Sequence, residues 1–403
     1  MAPEAVVVSF RLGGADGVAV EARKWAWALA ELGFGVRRVA GAIEDAGQPD
    51  DITLPGLALD AAGRVSVDET VVTAALNGAD LMVVDNLCSL PLNVEAARVV
   101  ARVAAQHRGR VLFRHHDLPW QRRHLSHLGD DLPPRIDGAL HATINLRSRR
   151  ELEARGYAGA ATIHNFFELD PRPGDRAGTR AQFGFADDDF VMLQPSRAIE
   201  RKNVPGAVRL AGHVARVAPD RPVQLWVSGP AEDGYHDTLA RILERSDVPV
   251  TLGRAAAAAD AYAACDLVVY PSTWEGFGNP VIESIAARRA CAAFPYPVLS
   301  EIIAAGVRCF STDQPDPLMR FLAEPEGRRE TYFDVNLRRA RISFALADLP
   351  GTIERAFAAH GWTSWCATTP SSFVAPASLG WPRSASGSAI SRWASRSSAS
   401  SPA

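Results

Sequence analysis

Short apolar runs rich in β-branched residues alternate with longer helical patterns along most of this chain, and this alternation limits the fold more than any other feature. Strands that are apolar throughout and separated by helices are typical of a parallel sheet covered by helices on both faces. The first helical pattern, at 17–32, has apolar residues close to a 3.6-residue spacing and ends at Gly33. In the first half, strands are predicted at 5–10, 36–39, 81–84, 110–113, 140–144 and 161–163.

The alternation is interrupted at 168–184, where prolines, glycines and charged residues cluster. It then resumes, which predicts two doubly wound α/β domains. Open α/β sheets bind ligands at the carboxyl ends of their strands, so we expect the two domains to face each other across a cleft. The predicted organisation is a Rossmann-like domain at 1–167, a linker at 168–186 and a second Rossmann-like domain at 187–347, whose strands lie at 190–193, 223–227, 248–252, 266–270, 291–294 and 307–310.

The end of the chain differs in composition. A C-terminal helix is predicted at 348–362, and no acidic residue follows Glu354. The segment 363–403 is rich in serine and poor in core-forming residues, so it is predicted to be disordered.

Composition excludes several classes of protein. The net charge of -3, from 43 basic and 46 acidic residues, argues against a nucleic-acid-binding protein. Five widely spaced cysteines form no CxxC pair, which argues against a disulfide framework or a zinc ribbon. With no apolar run near the ~18 residues of a membrane span and no signal-peptide pattern, we expect a soluble protein of the cytoplasm.

The most informative segment is 271–283, directly after a predicted buried strand. Asn279 is a suitable N-cap and Pro280 a suitable first helical residue, so the first-turn N–H groups should point into the loop formed by Gly276, Phe277 and Gly278. Such a helix start can bind a phosphate or a sugar hydroxyl.

Two carboxylates, Glu275 and Glu283, flank this helix start, eight positions apart. Both can face one ligand across the loop-to-helix turn. The alternative is that Glu283 complements the helix dipole and Glu275 is solvated.

A second cluster follows another strand at 194–203. Arg197 and Lys202 can bind a diphosphate, the guanidinium through two hydrogen bonds and the ammonium as a point charge. The alternative is a solvated, charged loop.

A glycine loop and a histidine cluster follow two strands of the first half. Gly13 and Gly14 permit close approach of a ligand to the backbone, and Asp16 can cap the next helix. The loop is not a complete GxGxxG motif. At 114–127, the histidines suggest either a side chain beside a bound ligand or a metal site; the metal alternative takes His124 and His127 with His115 or His116.

Taken together and in this order, the four clusters resemble the retaining nucleotide-sugar glycosyltransferases of family four, which have the GT-B fold. The resemblance covers roughly 6–360. Glu275 and Glu283 match the E-x7-E motif of that family, and Arg197 and Lys202 match its R-x4-K pair. It implies an N-terminal acceptor domain and a C-terminal nucleotide-sugar donor domain.

The resemblance also implies residue roles in the donor domain. Arg197 and Lys202 would neutralise the donor diphosphate, Glu283 would bind the ribose hydroxyls, and Glu275 would lie against the donor sugar. Backbone groups of 276–279 would contact sugar and phosphate.

In the first domain, the resemblance implies that Gly13 and Gly14 form the N-terminal glycine loop, with Gly14 closing over the diphosphate. The histidine of the family corresponds to His115 or His116; we favour His116, directly before Asp117, as the residue that contacts the transferred sugar.

The implied reaction moves a sugar from a UDP- or GDP-sugar to an unknown hydroxyl acceptor with retention of anomeric configuration. Fixed cations at the diphosphate would supply much of the catalysis, so we expect no metal or other cofactor. The acceptor is a small molecule, a lipid or a glycan, and peripheral membrane contact stays open. The alternatives are a nucleotide-sugar epimerase of the same fold and a non-catalytic protein that binds sugar nucleotides.

Two departures from the family pattern stand out. The segment 286–291 lacks the glycine usual at that turn. The predicted C-terminal helix, which in this fold braces the N-terminal domain, is followed by the serine-rich segment.

Overall fold

The computed structural model describes residues 2–14, 16–218, 221–362 and the backbone of 391–393. The described residues divide into two compact units, the first formed by those within 1–166 and 344–362 and the second by those within 167–343 together with 391–393. No helix in the described part of the chain is long and apolar enough to cross a membrane.

The first unit contains a parallel sheet with strand order β3-β2-β1-β4-β5-β6-β7 among the described residues. The order reverses direction between β1 and β4, which is the topological switch point of a doubly wound sheet. The strands are β1 (Glu4–Leu12), β2 (Gly35–Ile43), β3 (Ile52–Thr53), β4 (Leu81–Asp85), β5 (Arg110–His115), β6 (Leu140–Thr143) and β7 (Ala161–Thr162), and the helices between them are α1 (Gly17–Glu31), α2 (Glu69–Leu76), α3 (Val94–Gln106) and α4 (Leu146–Ala154).

The second unit repeats this architecture with strand order β13-β12-β11-β8-β9-β10-β14 in the described segments. Its switch point lies between β8 and β11, which pair in parallel. The strands are β8 (Phe190–Gln194), β9 (Val223–Val227), β10 (Val250–Leu252), β11 (Leu267–Tyr270), β12 (Ala290–Ala293), β13 (Phe310–Ser311) and the antiparallel β14 (Ser391–Trp393).

The helices of the second unit begin before its first strand. They are α5 (Arg176–Phe183), α6 (Val204–Val217), α7 (His236–Glu244), α8 (Ala258–Ala264), α9 (Asn279–Ala286), α10 (Leu299–Ala304), α11 (Asp316–Leu322) and α12 (Glu326–Phe344).

The segment predicted as a linker, 168–186, is not wholly a linker, because it contains α5. Arg180 of this helix donates to the carbonyl oxygens of Ala264 and Asp189, and Phe183 packs against Trp226 with ring centroids 4.5 Å apart. These contacts make α5 a part of the second unit. The prolines and charges that suggested a linker precede the helix.

After α12 the chain returns to the first unit through a last helix, α13 (Leu349–Ala359). Leu349, Ile353 and Phe357, at a helical spacing, are buried in the same apolar cluster as Trp25 and Leu29 of α1. The helix predicted at 348–362 thus completes the core of the first unit. The prediction of disorder at 363–403 falls, apart from β14, outside the described residues.

Candidate active site

Two of the predicted site residues are in contact at the switch point of the second unit. Lys202 lies in the loop after β8 and Glu275 in the loop after β11, and the Lys202 Nζ lies 2.5 Å from the Glu275 Oε1. Both residues are less than a tenth exposed. The alternatives of a solvated Glu275 and a solvated Lys202 are therefore wrong.

Arg201 is a second cation on the same carboxylate, and the sequence reasoning missed it. Its Nη1 donates to Glu275 Oε2 and to the carbonyl oxygen of Trp274, both at 3.1 Å. Burial raises the pKa of the Glu275 carboxyl, but Lys202 and Arg201 outweigh burial and hold that pKa below its usual value. Glu275 is therefore an anion. Burial lowers the pKa of the Lys202 ammonium, against the opposing effect of Glu275.

Arg197 has a different environment from Lys202. Its Nη1 lies 2.6 Å from Glu232 Oε2, in an ion pair whose side chains are 45% and 39% exposed. The loop that carries Arg197 packs tightly on the loop after β9, because a Cβ at Gly229 would lie 2.5 Å from the Arg197 Cα. Glycine after β9 thus fixes where the Arg197 backbone lies.

The loop 276–278 ends in a strained backbone that only glycine adopts readily. Gly278 has φ +118°, and a Cβ there would lie 1.8 Å from the Tyr296 Oη. That hydroxyl donates to the carbonyl oxygen of Phe277 at 3.0 Å.

Asn279 is not the N-cap that the sequence predicted. The helix begins at Asn279 with Gly278 as its cap, because the left-handed backbone at Gly278 starts the helix one residue earlier.

Glu283 lies one turn into α9, on the element that follows the Glu275 loop. The hydroxyl of Tyr262, near the end of α8, donates to Glu283 Oε2 at 2.6 Å. Burial, followed by the charge of Glu283, raises the pKa of Tyr262 well above its usual value, so the hydroxyl keeps its proton. Tyr262 was another residue that sequence reasoning missed.

The glycine that the family pattern has after Glu283 is replaced by an arginine in a glycine-like conformation. Arg288 has φ +54° at the turn between α9 and β12. Its guanidinium pairs with Glu330 and with Asp334 of α12. The departure from the pattern changes the residue at this turn and leaves the turn in place.

In the first unit, the loop 13–14 follows β1 at the switch point of that sheet. Gly13 has φ +76°, and a Cβ there would lie 2.6 Å from the backbone N of Asp45. Arg23 Nη2 donates to the carbonyl oxygen of Gly14 at 3.1 Å. The predicted cap is confirmed, because Asp16 Oδ1 accepts from the N–H groups of Val18 and Ala19.

His116 is fixed by a buried charge network that the sequence did not reveal. Its Nε2 lies 3.0 Å from Asp85 Oδ1, at the end of β4, and Arg114 Nη1 lies 3.1 Å from Asp85 Oδ2. Burial raises the pKa of Asp85, but Arg114 and His116 outweigh it and lower that pKa overall. Because an ionised carboxylate only accepts hydrogen bonds, His116 Nε2 carries a proton.

His115 lies in a different environment, although it adjoins His116 in sequence. Its Nε2 is 2.9 Å from His141 Nδ1, and the two rings stack with centroids 5.2 Å apart. Burial lowers the pKa of both imidazoles, that of His141 to about 3. The two neighbouring histidines thus belong to different networks, and the choice of His116 stays a prediction. Among the described residues, no group of three or more His, Cys, Asp or Glu side chains is placed to hold a metal ion.

Asp85→Asn is expected to destabilise the first unit by about 3 kcal/mol at neutral pH, because it leaves the buried Arg114 with only the more distant carboxylate of Glu21, at 3.5 Å. The lowered pKa of Asp85 means that its carboxylate stabilises the fold above pH 3.8, its ordinary pKa, and that this contribution is lost as the pH falls further. Urea unfolding at a series of pH values measures both effects. The stabilising role of Asp85 would be contradicted if the variant were as stable as the wild type at pH 7. It would also be contradicted if the difference in free energy of unfolding between the two proteins grew as the pH fell.

Comparison with known proteins shows what this chain is similar to. Residues 175–322 match the family described as glycosyl transferases group 1. The matched segment contains both switch-point loops of the second unit.

Two curated relatives are mannosylglucosylglycerate synthases. The one from Petrotoga mobilis is 24% identical over 364 residues, covering 74% of this chain and 84% of the relative. The one from Thermotoga maritima is 23% identical over 427 residues, covering 87% of this chain and 98% of the relative.

Among solved structures, the chain resembles HepE from Anabaena, determined with UDP and glucose. The TM-score is 0.68 at 18% identity, over 88% of this chain and 99% of HepE. This likeness supports the GT-B fold with its two Rossmann-like parallel-sheet units. With the family match and the curated relatives, it supports the predicted resemblance to the glycosyltransferases of family four.

Proposed function

We propose that this glycosyltransferase moves a sugar from a nucleoside-diphosphate sugar to a hydroxyl acceptor, with retention of anomeric configuration. The observation that carries the proposal is the position of Lys202, Arg201 and Glu275, which meet at the topological switch point of the second sheet. Ligands of doubly wound sheets bind at that point. The diphosphate in the solved complexes of HepE supports the choice of donor.

The charges at this point suit a departing diphosphate. As the bond to the anomeric carbon breaks, negative charge grows on the phosphate oxygens, and preorganised cations stabilise it. Lys202 and Arg201 are held in place by Glu275 before the donor arrives. Arg197 can exchange Glu232 for phosphate at small cost, because exposed ion pairs contribute little.

Retention in this proposal needs no protein nucleophile, because both oxygens of Glu275 are already engaged, Oε1 by Lys202 and Oε2 by Arg201. A carboxylate paired with two cations is a poor nucleophile. In our proposal it therefore orients the donor sugar, and the acceptor attacks on the face that the diphosphate leaves. The leaving phosphate oxygen takes the proton of the acceptor hydroxyl.

The other predicted roles are part of the same proposal. Glu283 binds the ribose hydroxyls, and backbone groups of 276–279 contact the donor. In the first unit, His116 remains the proposed contact for the transferred sugar, and the loop 13–14 the proposed contact for the diphosphate. The epimerase alternative is not favoured, since the family match is to transferases.

Donor binding tests the proposal first. We expect one of a panel of UDP-, GDP- and ADP-linked glucose and mannose to raise the melting temperature of the wild-type protein. Glu283→Gln should weaken that donor about tenfold or more, because a carboxylate binds ribose hydroxyls more strongly than an amide does. Glu244→Gln, an exposed change at the end of α7, is the matched control and should bind as the wild type does.

Turnover then separates the candidate functions. Mannose or glucose transfer to glucosylglycerate and to other hydroxyl acceptors, with NMR of the new linkage, should show retention. An inverted linkage would overturn the mechanism. Conversion of the donor sugar without an acceptor would indicate an epimerase, and binding without transfer or hydrolysis across the panel would indicate a non-catalytic binding protein.

A further inference from the structure

One buried hydroxyl of the second unit, that of Tyr262, contacts a residue of the predicted donor site. Tyr262 is 4% exposed, and its hydroxyl donates to Glu283 Oε2 at 2.6 Å. The donor lies on α8 and the acceptor on α9, so this hydrogen bond joins two helices that flank β11 in the chain. Glu283 itself is half-buried.

The backbone of Tyr262 is fixed as firmly as its side chain. Arg289, in the turn after α9, donates from Nε to the carbonyl oxygen of Tyr262 at 3.1 Å and from Nη2 to that of Ala263 at 3.0 Å. The end of α8 is thus tied to the middle of α9 by the Tyr262 side chain and to the turn after α9 by the Arg289 side chain. The Tyr262 hydroxyl has little freedom to follow a moving carboxylate.

We propose that Tyr262 is a positioning residue that holds the Glu283 carboxylate in the orientation required to bind the two ribose hydroxyls of the donor. Two hydroxyls on adjacent ribose carbons need a carboxylate fixed in its plane. A hydrogen bond to a charged group restrains that plane more strongly than a bond between neutral groups. Tyr262 does not touch the donor; its effect passes through Glu283.

This inference rests on the proposed function, because it assigns Glu283 to the ribose. It predicts that the loss of the Tyr262 hydroxyl weakens the binding of nucleotides that carry ribose hydroxyls. The binding of nucleotides that lack these hydroxyls should be unchanged. A purely structural role for Tyr262 would weaken both kinds of ligand equally.

The test uses the full chain and the nucleoside diphosphate, among UDP, GDP and ADP, that the wild type binds best. Calorimetry compares that diphosphate with its 2′,3′-dideoxy analogue for the wild type and for Tyr262→Phe. We expect the variant to bind the diphosphate about tenfold more weakly and the dideoxy analogue within about twofold of the wild type. Phenylalanine keeps the buried ring, so the core stays filled.

Tyr332→Phe is the matched control. It removes another hydroxyl of the same unit, which donates to the carbonyl oxygen of Arg308 at 2.7 Å, and should change neither affinity. Equal affinities of wild type and Tyr262→Phe for the diphosphate would overturn the inference, as would equal losses for both ligands. If the wild type binds none of the three diphosphates, the proposed function fails first, and the inference fails with it.

Discussion

Lys202→Ala is expected to lower donor turnover about a thousandfold, because it removes a preorganised cation from the leaving diphosphate. The same change should destabilise the second unit by about 3 kcal/mol, since the buried Glu275 loses the closer of its two cations, Lys202, and keeps Arg201. Measurements of product formation and of urea unfolding check the two effects. The sequence motif implies only the loss of turnover. The loss of stability is expected because the structure places Lys202 in a buried ion pair.

A double variant separates stability from catalysis. Lys202→Met combined with Glu275→Gln removes both charges and keeps similar volumes, so most of the lost stability should return. Turnover should stay at the level of the single variant. Turnover of Lys202→Ala near that of the wild type would contradict the proposed role of Lys202, and so would restored turnover in the double variant.

Gly278→Ala is expected to destabilise the second unit by about 3 kcal/mol or more and to abolish donor binding. The new Cβ would meet the Tyr296 Oη at 1.8 Å, and an alanine at φ +118° is strained even without that contact. Relief requires the loop 276–278 to move away from Tyr296. Urea unfolding and the donor-dependent melting shift measure the two losses.

Gly234→Ala is the control that separates the collision from the backbone strain. Gly234 has φ +73°, and a Cβ there would meet no atom within 4 Å. We expect this variant to lose about 1 kcal/mol and to bind donor normally. If Gly278→Ala and Gly234→Ala lost equal stability and equal donor binding, the collision with Tyr296 would contribute nothing to either loss.

The order of the elements was readable from the chain because the central strands of both sheets bury both of their faces. Runs such as 81–84 and 267–270 are apolar throughout, and helical spacing separates them from the next run. The helix α5 was hidden, because its polar residues resemble those of a linker. Its buried face appears only when Phe183 packs against β9 and Arg180 binds the end of α8.

Motif spacing identified the residues of the site but not their partners. The spacing of Glu275 and Glu283 depends on one loop and one helix turn, which local sequence specifies. Arg201 and Tyr262 were missed because their partners lie 74 and 21 residues away in the chain. No local pattern distinguishes such side chains from solvated ones.

The sequence by itself determined the class of fold and the loops in which the chemistry should lie, because hydrophobic period, glycines and helix caps act over a few residues. Tertiary structure alone decided which charges meet. Lys202 and Glu275 become partners, and His116 is separated from the neighbouring His115, because parallel pairing of strands distant in sequence brings their carboxyl ends together. A charged side chain is tolerated in the interior only when it has a partner. Whether it has one depends on which strands pair in the sheet.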